Sequence, residues 1–176
     1  PMSYRNPELL ADMARTVDHI SGGRVVLGMG SGWFERDYDE YGYEFGTAPG
    51  RLKIFGAELP RVLDRMSKLN PAPIGPMPLL IGGSGEKVTL RIVAEHAQMH
   101  NIVGKSPEEA KRTMEVLDDW CEKKGRDPKS VERTAMVDDS VDIDAWREIG
   151  VHHLIYMSGN PYNFDTLEKM LAARAG

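Results

Sequence analysis

PLLIGGSGEKVTLRIVAEHAQMHN, Pro78 to Asn101, reads as strand, glycine turn, helix and strand within one short stretch. PLLIGG, Pro78 to Gly83, is a continuous apolar run ending in glycines, as buried strands do. Glu86 to Ala97 has helical spacing, and Met99 to Val103 is a second short strand. Short, continuous apolar strands separated by helices fit a parallel sheet covered by helices.

The same alternation continues in both directions. Upstream, Asn6 to Ile20 places Leu9, Leu10, Met13, Val17 and Ile20 at helical spacing. Asn6 can cap that helix, Pro7 suits its first position, and Ser21-Gly22-Gly23 stops it. RVVLGM, Arg24 to Met29, then reads as a strand, Gly30 to Pro49 as a long loop, and Gly50 to Lys68 as a helix. Asn70 to Pro76 holds three prolines and cannot be helical. Downstream, Ser106-Pro107-Glu108-Glu109 is a capping box that opens a helix to Lys124. A strand at Val131 to Val137, a helix at Asp142 to Ile149, a strand at Val151 to Met157 and a helix at Asp165 to Arg174 complete the series.

The expected class is α/β, with about five parallel strands covered by helices in a single domain spanning 1–176. A complete eight-unit barrel takes roughly 250 residues. At 176 residues the chain matches five-eighths of a barrel, or a smaller open α/β sheet. The leading helix has no strand before it, which suggests a missing upstream part.

Composition narrows the function classes. The 22 basic and 27 acidic residues give a net charge of −5, which argues against nucleic acid or an anionic membrane as the main partner. No apolar run approaches the roughly 18 residues of a membrane span, and no signal peptide opens the chain. The lone Cys121 excludes an internal disulfide framework and any multi-cysteine metal site. A soluble cytoplasmic protein without a metal is expected.

In parallel α/β folds, ligands meet the C-terminal ends of the strands. Gly82-Gly83-Ser84-Gly85 lies at one such end and runs straight into a helix. Its unpaired N–H groups, the hydroxyls of Ser84 and Thr89, and the charge of Lys87 make a candidate phosphate cradle. The alternative is a tight turn and nothing more. The spacing is not that of a P-loop. Gly28-Met29-Gly30-Ser31-Gly32 follows the upstream strand and allows close backbone approach, or is a strand-end bulge. Its spacing is not that of a dinucleotide fingerprint.

The long loop carries Trp33, Phe34, Tyr38, Tyr41, Tyr43 and Phe45. They could wall a flat cofactor, form a subunit interface, or staple the loop to the body. His100, late in its strand, is either a functional side chain or a satisfied core histidine. Cys121 has no evident base partner and reads as packing. Asp118-Asp119 and Asp138-Asp139 read as solvated ends, and Ser31 and Ser84 lack the nucleophile-elbow context.

These residues carry a family likeness. NPELLADMARTVDHISGGRVVLGMGSGWFERDYDEYGYEFG (Asn6 to Gly46), Arg51, the Pro78 to Asn101 run, the SPEEA helix start and the turn at Gly125 to Pro128 resemble the luciferase-like flavin and deazaflavin oxidoreductases. The likeness is greatest to the branch using coenzyme F420, partly because the flavin-using luciferase branch has an arginine where this chain has Ser31. The resemblance implies a partial TIM (β/α)8-type barrel, from strand four through helix eight, lacking the N-terminal three strands. It implies cofactor phosphate at Gly83, Ser84, Gly85, Glu86, Lys87 and Thr89, with Gly30, Ser31 and Gly32 against the cofactor. It implies F420, or alternatively FMN, an organic small-molecule substrate, hydride transfer between the two, and a homodimer. An FMN-dependent monooxygenase and a truncated, non-catalytic remnant or dimerising module are the alternatives.

The chain departs from the pattern in the short Arg65 to Pro76 segment. It departs again at Ala97-Gln98-Met99-His100-Asn101, where Gln98 replaces an acid and His100 an aromatic. His100 is the one candidate general acid.

Overall fold

The computed structural model describes residues 1–174, which group into two compact units, Pro1–Ile81 and Gly82 onward. In the first, α1 (Pro7–Ser21) starts where Asn6 Oδ1 accepts from the Leu9 N–H at 3.0 Å and ends at Gly22, φ 68°. β1 (Leu27–Met29) follows, then α2 (Glu35–Tyr41), α3 (Ala48–Ser67) and β2 (Leu79–Gly82). β1 and β2 pair in parallel, with Leu27 opposite Leu79 and Met29 opposite Ile81. The expected strand from Arg24 is cut to three residues. Opposite its missing half the partner carries Pro76 and Pro78, which have no N–H to give a ladder.

α1 packs on α3, and Arg65 grips Asp12 through two bonds of 3.1 and 3.0 Å. The proline-rich segment before β2 is tied down by Asp18. This buried carboxylate accepts from the N–H groups of Ile74 (2.7 Å) and Gly75 (3.0 Å). Those bonds, Gly75's first, hold its pKa below the ordinary value despite burial.

The sequence expectation of one loop from Gly30 to Pro49 is corrected by α2. Among its seven residues only Tyr38 is buried, so no apolar stripe advertises a helix. Acidic Glu35 and Asp37 in its first turn and Gly42 (φ 70°) past its end supply the local reason for it.

In the second unit, α4 (Thr89–His96), β3 (Met99–Ile102), α5 (Pro107–Lys123), β4 (Glu132–Val137), α6 (Ile143–Glu148), β5 (His153–Tyr156) and α7 (Phe164–Arg174) alternate. β3, β4 and β5 are parallel neighbours in chain order. The capping box forms in full: Glu109 N–H to Ser106 Oγ, and Ser106 N–H to Glu109 Oε2 at 2.9 Å. α4 begins three residues later than its pattern predicts. Leu90 N–H reaches back five residues to the Gly85 carbonyl (3.0 Å), so residues 86–88 form a wide turn instead of helix.

Ile102, Ala135 and Val137 pack with Ala110, Trp146 and Val151 of the covering layer. Side chains alternate along a strand, so His100 and Arg133 share that helix-facing side. Met99, Asn101, Thr134 and Met136 occupy the other face. Each unit is thus α/β: a parallel strand pair in the first and three parallel strands in the second, with helices between them.

Candidate functional site

Both glycine-rich turns leave the C-terminal ends of strands. In the second unit, Gly83 has φ +109°, a backbone conformation open to glycine. Its N–H donates to the Asn101 carbonyl (3.2 Å), and its carbonyl lies 2.8 Å from His100 Nε2. Beyond it, no acceptor among the described residues meets the backbone N–H groups of Ser84, Gly85, Glu86 or Lys87. Ser84 Oγ is buried and has no hydrogen-bond partner among the described residues. A Cβ at Gly85 would stand 2.8 Å from Thr89 Oγ1, so a larger residue there requires the Thr89 hydroxyl to shift.

The turn is braced from outside, where Trp120 Nε1–H donates to the Glu86 carbonyl at 2.7 Å. The Glu86 carboxylate faces Arg112 at 3.6 Å. Lys87 is exposed and has no ion-pair partner among the described residues. Free N–H groups, an orphaned hydroxyl and an unpaired ammonium at one helix start are the donor set a phosphate group takes. Gly83, Ser84, Gly85, Glu86, Lys87 and Thr89 stand together in this turn and at the start of α4, and the donor types present are ones a phosphate group can use.

His100 lies beneath this turn and is 0% exposed. Its ring is packed inside the protein, on the helix-facing side of β3. Burial pushes its pKa down to about 4, partly offset by the Gly83 carbonyl and reinforced by Arg133. The ring is neutral at pH 7. The polar residue on the other face is its neighbour Asn101, whose Oδ1 accepts from Thr134 Oγ1 at 2.9 Å.

In the first unit, Gly28 and Gly30 have open space where a Cβ would stand. Gly32 (φ +84°) does not: a Cβ there would lie 1.9 Å from the Tyr38 hydroxyl. Tyr38 is fully buried, its hydroxyl 3.3 Å from Ser3 Oγ and 3.4 Å from the Ser31 carbonyl. Arg51 is buried against Phe45, its guanidinium carbon 3.7 Å from the ring centre. It donates to the carbonyls of Gly32 (3.1 Å), Phe45 (3.0 Å) and Gly46 (3.3 Å). The turn at Gly30, Ser31 and Gly32 is thus held rigid from behind.

Of the loop aromatics, Tyr38 packs against Phe45 and Tyr4, which staples the loop. Trp33 and Tyr41 stay exposed. The anchoring by Arg51 was legible in one respect. Arg51, Phe55, Leu59 and Val62 form the buried stripe of α3, so an arginine stands at a core position.

Cys121 is buried and its thiol is pushed up by that burial, in keeping with packing. Asp138 accepts from the Ser140 N–H at 2.9 Å and serves its own turn.

The profile of the family described as luciferase-like monooxygenase matches residues 1–171. The chain belongs to that family. It is 27% identical over 157 residues to pyrimidine monooxygenase RutA of Enterobacter sp. (strain 638), an alignment covering 77% of this chain and 43% of the relative. Two solved structures share the fold. An F420-dependent secondary alcohol dehydrogenase in complex with an F420-acetone adduct has a TM-score of 0.66 at 15% identity, over 97% of this chain and 67% of that one. The coenzyme F420-dependent tetrahydromethanopterin reductase from Methanopyrus kandleri has a TM-score of 0.61 at 18% identity, over 80% and 49%. The chain spans less than half the length of the curated relative it matches. No helix among the described residues is long and apolar enough to cross a membrane.

Proposed function

We propose that this luciferase-like chain holds the phosphate of a deazaflavin, coenzyme F420, or alternatively of FMN, and serves hydride transfer with an organic small-molecule substrate. The observation that carries this is the turn at residues 83–89, with its four unmet N–H groups and the buried, unpartnered Ser84 hydroxyl. Ser84 Oγ, the N–H groups of residues 84–87 and Thr89 Oγ1 would hold the phosphate, and Lys87 would offset its charge. For the first unit taken by itself, the turn at Gly30, Ser31 and Gly32 is assigned to cofactor contact, with open space where a Cβ of Gly30 would stand. Tyr38 and Arg51 keep that backbone rigid, so little conformational freedom is lost on binding. When bound, the cofactor supplies the redox chemistry, and the protein supplies position and exclusion of water.

Titration of the purified chain with F420 and, in parallel, FMN tests this by ligand fluorescence and calorimetry. Saturable micromolar binding of one of them supports the proposal and chooses the cofactor. A folded sample that binds neither removes it.

A second reading, a dimerising module of the same fold without turnover, draws on α1. Leu9, Met13, Val17 and Ile20 form an exposed apolar stripe there. A dimer by light scattering with no cofactor binding would favour it.

A further inference from the structure

Gly83 has both of its backbone groups fixed by β3: its N–H by the Asn101 carbonyl at 3.2 Å and its carbonyl by the His100 ring at 2.8 Å. A carbonyl only accepts, so Nε2 of His100 carries the proton. Nδ1 is then a bare acceptor, and it is buried without a partner. A trans peptide is planar, with its C=O and N–H directed oppositely. The carbonyl of Gly83 and the N–H of Ser84 belong to one such peptide. Drawing the carbonyl down toward the buried imidazole turns the Ser84 N–H up, away from β3, where no protein acceptor meets it.

We propose that His100 is a positioning residue: its Nε2–H anchors the Gly83 carbonyl and thereby aims the Ser84 N–H at a phosphate group. This rests on the cradle proposed above. An aromatic hydrocarbon ring would fill the same space, but it would leave the Gly83 carbonyl without its donor and the peptide free to rotate.

Amide NMR of the whole chain, titrated with inorganic phosphate, tests it in the wild type, His100→Phe and His100→Gln. In the wild type the Ser84 amide shifts saturably. His100→Phe weakens phosphate binding about tenfold, the effect of losing one aligned donor to an anion. His100→Gln, which keeps an N–H, restores most of the affinity. A purely space-filling role would predict the reverse order of the two variants. A Ser84 amide that shifts with equal affinity in wild type and His100→Phe overturns the proposal and leaves the cradle intact. A wild-type amide that does not respond to phosphate overturns the cradle and this proposal with it. Should His100→Phe fail to fold, the imidazole nitrogen shifts of the wild type decide: an unprotonated Nε2 at pH 7 overturns the proposal.

Discussion

Gly85 owes its identity to one contact. A methyl there would meet Thr89 Oγ1 at 2.8 Å and push that hydroxyl from the turn. Gly85→Ala should leave the fold in place and weaken phosphate-dependent cofactor binding about tenfold, read by fluorescence titration. Arg51 is a sterner case. Its guanidinium satisfies the carbonyls of Gly32, Phe45 and Gly46 from a buried position. Arg51→Ala leaves all three unmet and should cost about 3 kcal/mol in urea unfolding. Arg51→Lys should recover only part, since a lysine lacks the planar fork that spans several acceptors.

Elements follow their local signals unless tertiary contacts override them. The capping box at Ser106 and Glu109 was readable from four residues and forms as read. Ser106→Ala should lower stability by about 1 kcal/mol in denaturant melts, because the Glu109 N–H loses its acceptor. α4 shows the limit of such signals. Glu86, Lys87 and Val88 continue its helical pattern, yet the Gly85 carbonyl captures Leu90 N–H and keeps them outside the helix. α2 was invisible for the opposite reason, having one buried side chain and no periodic face.

At the scale of the whole molecule, folding stability is tied to pH through His100. Its folded pKa of about 4 lies below the ordinary 6.5. Above pH 6.5 the ring is neutral in both states and folding carries no proton penalty. As pH falls toward 4 only the unfolded chain takes up the proton, so stability drops; below 4 the folded chain follows and the drop levels off at roughly 3 kcal/mol. Urea melts between pH 7.5 and pH 4 should show a loss that is smaller by about that amount in His100→Phe.

Much of the molecule was legible in its residues. Apolar runs, glycine stops, proline breaks and caps are short-range features, and they specify five strands, their helices and the two glycine turns. Which face of β3 His100 occupies was not legible. Nor was the bracing of the Glu86 carbonyl by Trp120, or the orphaned state of Ser84 Oγ. Each depends on residues far apart in the chain meeting in space, and hydrogen-bond satisfaction is a property of that meeting. The sequence by itself determined where a glycine-rich turn opens a helix; only the tertiary structure decided which of its donors are left free, because the Asn101 carbonyl that claims the Gly83 N–H arrives from β3.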